Sequence, residues 1–213
     1  MGITGFDEIS VQKQLLGEQV FRRLGEAIID GTLPPGQRVR DLELAAELHV
    51  SRMPVREALQ RLERIGMVEM LPSRSTRVTA VTEEDVRASR EHAGYQAGIV
   101  AHMAVPRLDP DQRALAIRMV DAIVDALDEP AAASRRRREL FSALSALSGN
   151  RLHHAHLAEM ELALERNLQH FVPDASEAAE QLELYSALRE AIAAGDGDAA
   201  ERIVRSLHGI ECG

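Results

Sequence analysis

The sequence predicts a mainly α protein in two parts: a small module of three helices and two short strands, followed by an antiparallel six-to-seven-helix bundle. Three observations carry this. Apolar residues recur at helical spacing along most of the 213 residues, one stretch from Met67 to Val81 shortens into strand-like runs, and the charge divides unevenly. The chain carries a net charge of -9, but residues 1–80 hold 11 basic and 11 acidic side chains. The remainder holds 14 and 23, and so accounts for the whole excess. The expected boundary separates 1–81 from 82–213.

Taken in order, the first helix spans Gln14 to Asp30, with Val20, Leu24 and Ile28 on one stripe and Gly31 placed to end it. The turn-rich Thr32-Leu33-Pro34-Pro35-Gly36 follows. A second helix covers Asp41 to Leu48. A third begins after Ser51, an N-cap residue type, and tolerates Pro54 in its first turn. It directs Val55, Leu59 and Leu62 inward and ends near Gly66. Strands are expected at Val68–Leu71 and Arg77–Val81, around a turn at Pro72-Ser73-Arg74-Ser75.

From Thr82 the period is helical to the end. Thr82 precedes the acidic turn Glu83-Glu84-Asp85, Pro106 closes that helix, and Asp109-Pro110 opens the next. Glu129-Pro130, Ser148-Gly149-Asn150, Pro173 and Gly195-Asp196-Gly197 punctuate the rest, with Asp174 to Glu177 spaced as a capping box. Six helices of roughly 12 to 22 residues result, which is bundle geometry.

Composition narrows the function. No apolar run reaches the roughly 20 residues a membrane span needs, and the N-terminus lacks the layout of a secretory signal, so a cytoplasmic protein is expected. The single cysteine, Cys212, excludes a disulfide framework and a Cys-based zinc site. There is no nucleophile motif, no Gly-rich phosphate loop and no paired-carboxylate arrangement, so no enzyme and no cofactor are expected.

The run from Leu44 to Leu59, containing Val50-Ser51-Arg52-Met53-Pro54-Val55-Arg56-Glu57-Ala58-Leu59, closely resembles the helix-turn-helix of GntR-family transcriptional regulators. The flanks agree, with Gly31 to Gly36 resembling the family's turn after the first helix and Val68 to Val78 its wing. The resemblance implies a winged helix-turn-helix that sets the third helix into the DNA major groove. Arg52 and Arg56, four apart, are expected to read bases together, since arginine bonds guanine bidentately. The helix start at Ser51 suits a phosphate. Arg38, Arg40, Arg74 and Arg77 are expected to contact the backbone. Two departures stand out: Met53 replaces the family's usual threonine, and Ser75 occupies the place where the wing usually turns on glycine.

The helical remainder is similar to the FCD domain of FadR-type members, which dimerises and binds an effector. The similarity rests on Arg90, on Ser148-Gly149-Asn150, and on Ala191-Ile192 with Gly195-Asp196. Many such domains hold a metal with one aspartate and three histidines. At those places this chain has Arg137, Phe141, Tyr185 and Leu207, with His208 one residue beyond the last. That set cannot ligate a metal, because arginine stays protonated and phenylalanine has no donor atom. The substitutions suggest that Arg137 captures an acidic effector directly, with Arg90 as second anchor, Phe141 beside it and Tyr185 as a hydrogen-bonding wall. His153, His154 and His156 are read as surface or interface residues; a metal there would need ligands from elsewhere, such as His102, His170 or His208. Two functions therefore stay open. One is a homodimeric repressor on a palindromic operator, modulated by a small carboxylate. The other is a dimeric DNA-binding protein whose degenerate pocket is filled.

Overall fold

The computed structural model describes residues 11–71, 75–169, 171 and 175–210, and the chain divides into two compact units between Ala80 and Val81. The first unit contains α1 (Val11–Ile29), β1 (Arg38–Val39), α2 (Asp41–Glu47), α3 (Arg52–Arg64), β2 (Val68–Leu71) and β3 (Ser75–Val78). Its core is the predicted stripe. Val20, Leu24 and Ile28 of α1 are buried with Phe21, and Val55, Leu59 and Leu62 of α3 meet them. Each such aliphatic side chain contributes roughly 1.5–3 kcal/mol when taken out of water. Arg61 fastens the same two helices from outside: its guanidinium lies 3.8 Å over the Phe21 ring and 2.8 Å from Glu18.

Gly31 takes φ +81 directly after α1, the left-handed turn expected of it. The α2–α3 turn is less usual. His49 has φ 54, a left-handed conformation that a non-glycine residue adopts at a cost, and Val50 N–H closes back on the Ala45 carbonyl at 3.0 Å.

The sheet corrects the sequence reading at three points. A third strand, β1, pairs antiparallel with β3 in the order β1-β3-β2. Two residues between a turn and a helix are too few to show a period, and they become a strand only by pairing with β3. The last strand runs Ser75–Val78, not Arg77–Val81, because Leu71 pairs with Ser75 and Val68 with Val78, which uses up the length of β2. Ser75 is therefore not at the tip of the turn; it is the first residue of β3 and is 7% exposed. Arg74 lies outside the described residues.

The second unit comprises α4 (Glu83–Ala104), a 3-10 turn (Val105–Arg107), α5 (Pro110–Val124), α6 (Pro130–Leu147), α7 (Arg151–Leu168), α8 (Ala175–Ala194) and α9 (Gly197–Leu207). Local chemistry starts these helices. Thr82 and Asp85 form a reciprocal capping box, as do Asp109 and Gln112, and Pro110 and Pro130 open α5 and α6. The Asn150 and Asp196 side chains accept the backbone N–H of His153 and Ala199. The predicted box at Asp174 lies outside the described residues. Val100, Val120, Ile123, Leu140, Leu188, Ile192 and Val204, all fully buried, form the centre of the bundle. Among the described residues no helix is long and apolar enough to cross a membrane.

Candidate nucleic-acid interface and ligand cavity

On α3 the buried face holds Val55, Ala58, Leu59 and Leu62, which leaves Arg52, Met53 and Arg56 pointing outward. Arg52 and Arg56 are 57% and 63% exposed and converge on one acid: Arg52 Nη2 is 2.8 Å and Arg56 Nε 4.0 Å from Asp41 Oδ2. Asp41 opens α2, so the first helix of the helix-turn-helix holds the arginines of the second. The hydrogen bond from Arg52 holds the Asp41 carboxyl below its ordinary value against the opposing effect of desolvation. Sequence reading missed Asp41, because an acid in a first turn is already explained by the helix dipole. One carboxylate shared by two guanidiniums leaves a positive surplus on this face. The 56% exposed Met53 beside it adds an apolar tip.

Ser51 stands at the N-cap of α3 as predicted, but its side chain makes no capping hydrogen bond. Pro54 explains this: it occupies the third helical position, whose N–H an N-cap side chain would ordinarily engage. The start of α3 therefore keeps the Ser51 hydroxyl and the backbone N–H of Arg52 and Met53 as donors for an external acceptor.

Arg38 of β1 and Arg77 of β3 are exposed and face each other directly across the ladder. On its other side Arg77 faces the exposed Glu69 of β2, so a carboxylate already stands beside the two guanidiniums. Arg40 differs: it precedes α2 and is ion-paired with Glu43 at 2.7 Å.

In the second unit, α4, α6, α7, α8 and α9 enclose a cavity of about 910 Å³, its open mouth included. Arg90, Arg137, Phe141, Leu207 and His208 all line it. Tyr185 is buried behind Arg137 and accepts a hydrogen bond from its Nε at 2.7 Å. Gln181, which the sequence did not single out, accepts a second from Nη2 at 3.3 Å. Leu157, Leu164, Leu168 and Phe171 supply an apolar wall. Phe141, Tyr185 and Leu207 thus leave the space open.

The cavity arginines are not equivalent. Arg90 is 3.1 Å from Glu177 and stacks 4.3 Å over Phe171, and Arg138 Nε is 2.9 Å from Glu165. Among the described residues Arg137 donates hydrogen bonds to two neutral partners, Tyr185 and Gln181, which orient its guanidinium. His208 Nδ1 lies 2.8 Å from the Val204 carbonyl, so in the neutral ring that nitrogen carries the proton. Burial, with Arg137 and Arg90 adding to it, pushes the His208 imidazole down to about 4. The carboxylates of Glu161 and Glu165 line the same cavity, Glu165 as the partner of Arg138.

Three further histidines lie near one another on α4 and α7: burial, with His156 adding to it, holds the imidazoles of both His92 and His153 below their ordinary value. His154 Nδ1 is 3.2 Å from Ser145 Oγ, and both ring nitrogens of His153 are buried without a hydrogen bond. Among the described residues, the one group of three clustered metal-ligand side chains is His102, Asp198 and Glu201. His170 lies outside the described residues.

A winged helix-turn-helix with an outward cationic helix, followed by a helical domain built around a cavity, defines the class of bacterial regulators that join these two modules in one chain. Residues 16–78 match the bacterial regulatory proteins of the gntR family and residues 98–208 match the FCD domain, and the chain belongs to this family. Among relatives, the HTH-type transcriptional regulator Mce2R of Mycobacterium tuberculosis is 35% identical over 117 residues, covering 54% of this chain and 42% of that protein. The HTH-type transcriptional repressor RspR of Escherichia coli is 31% identical over 74 residues, 35% and 32% of the two chains. The chain thus spans under half the length of these curated relatives. Solved structures match more fully: E. coli McbR/YncC superposes with a TM-score of 0.68 at 22% identity, covering 91% of this chain and 93% of that one. A GntR-type transcriptional regulator from Rhodococcus sp. RHA1 gives 0.62 at 26% identity, with the same coverage. Mce2R, RspR and the Rhodococcus protein are transcriptional regulators by name.

Proposed function

We propose that the protein is a DNA-binding transcriptional regulator, acting as a homodimer on a palindromic operator and repressing until a small carboxylate occupies the helical cavity. The observation that carries the DNA role is the face of α3, where Arg52 and Arg56 stand exposed and share a single acid. Supporting it, Arg38 and Arg77 stand exposed side by side on the sheet, with Glu69 in register beside Arg77, and so add cationic side chains to this module's surface. Two such modules related by a two-fold axis read two half-sites about one helical turn apart or a multiple of it, hence the palindrome.

The ligand role rests on Arg137, a guanidinium aimed into an apolar-walled cavity by two neutral partners. A carboxylate docked there receives charge-assisted hydrogen bonds, while an apolar body lies against Phe141 and Leu157. The open cavity weighs against the alternative of a filled pocket without an effector.

Fluorescence anisotropy on selected operator DNA tests the first half. Arg52→Ala and Arg56→Ala should each lose about 1–3 kcal/mol of discrimination at particular base pairs, whereas Arg38→Ala should weaken all sequences alike and flatten the salt dependence. Equal, sequence-independent losses from all three refute the assignment of Arg52 and Arg56 as base readers. A thermal-shift panel of organic acids tests the second half. An acid at 100 times its Kd should stabilise the wild type by about 2.7 kcal/mol, and Arg137→Ala should lose that response while still binding DNA. A response unchanged in the variant refutes the role of Arg137.

A further inference from the structure

We propose that His102, Asp198 and Glu201 form a binding site for a divalent transition-metal ion that fastens α9 to α4, outside the ligand cavity. This inference does not depend on the regulatory reading. His102 lies in the last turn of α4, and Asp198 and Glu201 lie three apart at the start of α9. His102 Nδ1 is 3.0 Å from Asp198 Oδ1 and 3.2 Å from Glu201 Oε2, and the three ligand atoms all fall within 4.8 Å of one another. Around a metal bound at about 2.1 Å, neighbouring donors stand about 3.0 Å apart in an octahedron and about 3.4 Å in a tetrahedron. The two measured separations fall in that range. One imidazole nitrogen offers at most one proton, yet two carboxylate oxygens approach it, so at most one of them can accept from it.

The surroundings hold the three ligands in place. Glu201 is gripped from behind: Arg205 Nη2 binds its Oε1 at 2.6 Å, which turns Oε2 toward His102. Arg205 in turn lies 5.5 Å over the Tyr95 ring and against Gly98, where a Cβ would come within 3.0 Å of Arg205 Cγ. Outer-sphere contacts of this kind orient metal ligands and are worth 10–100-fold in affinity. The backbones are pinned too. A Cβ on Gly197 would approach the His102 carbonyl oxygen to 2.7 Å, so only glycine lets the first turn of α9 sit so close to the last turn of α4. Asp196 caps that turn through Ala199 N–H.

One imidazole and two carboxylates suit zinc, nickel, cobalt or manganese, leaving the remaining positions to water. The site would fix the start of α9, whose other end delivers Leu207 and His208 to the cavity. The test titrates the full chain, freed of metal by a chelator, with Zn²⁺ and with Ni²⁺ by calorimetry. One ion per chain is expected, and the His102→Ala and Glu201→Gln variants should each weaken binding by about tenfold or more. His153→Ala serves as a control that keeps it. A second measurement needs no variant: in ¹⁵N-histidine spectra of the wild-type protein, Zn²⁺ should move the His102 Nδ1 resonance into the metal-bound range. Absence of one-to-one binding, a bound metal that leaves His102 Nδ1 unmoved, or affinity unchanged in both folded variants overturns the proposal and reduces the cluster to ion pairing.

Discussion

The outer face of α3 and the cavity of the helical unit both present arginine, and they differ in what holds it. On α3, Arg52 and Arg56 project from a helix whose opposite face is fully buried, and the acid that steadies them, Asp41, is itself near the surface. In the cavity, Arg137 is positioned by buried Tyr185 and Gln181, and its neighbours on α6 include the fully buried Leu140. An outward site can therefore change without disturbing the fold. An inward site shares its walls with the hydrophobic core, so substitutions there act on recognition and on stability together.

Leu140→Ala, one residue before the cavity-lining Phe141, should have the largest effect. It should cost about 2–5 kcal/mol by transfer loss and cavity formation, read as a lower denaturant midpoint with an unchanged slope. A loss below 1 kcal/mol would mean that α6 repacks freely and that cavity and core are not coupled.

Acid offers a second test. His208 has a folded value of about 4 against 6.5 for the free side chain, so between these pH values the unfolded chain binds more protons. The contribution is intact above pH 6.5 and is lost as pH falls toward 4, amounting to about 3 kcal/mol at 1.36 kcal/mol per unit. Denaturation at pH 7.5, 5.5 and 4.5 should show that decline, and His208→Gln should lessen it. An identical acid profile in the variant would separate the cavity histidine from stability.

The smallest effect sharpens the outward side. Asp41→Asn removes the charge shared by Arg52 and Arg56, both largely exposed, so stability should change by less than about 1 kcal/mol. Operator discrimination should fall while affinity for unrelated DNA rises, because the arginines lose their common tether and gain net charge. Anisotropy against matched and scrambled duplexes measures both. Unchanged discrimination would show that the arginines orient themselves on DNA without Asp41.

Much of this was legible in the linear sequence. Helical spacing, capping residues and prolines located the helices to within a few residues, because those signals act over one turn of chain. The run from Val50 to Leu59 pointed to the outward arginines, since burying Val55 and Leu59 obliges Arg52 and Arg56 to face out. What escaped depended on residues distant in sequence. β1 exists only through its pairing with β3, and the position of Ser75 followed from the register of Leu71 opposite it. Asp41, eleven residues before Arg52, looked like a helix-start acid until the turn at His49 brought the two together.

Local sequence signals located the helices and singled out the side chains whose chemistry suits DNA or an anion. The family resemblance, and not spacing alone, marked Arg137, Phe141, Tyr185 and Leu207 as the set to weigh against metal ligation. Only the tertiary structure decided how charges are shared. It gave Arg90 and Arg138 to carboxylates, gave Arg137 to Tyr185 and Gln181, and brought His102 up against Asp198 and Glu201. The reason is physical. Helix propensity and capping are local free energies, whereas the partner of a buried or half-buried charge is chosen by the packing of helices that bring together residues 27 to 99 positions apart along the chain.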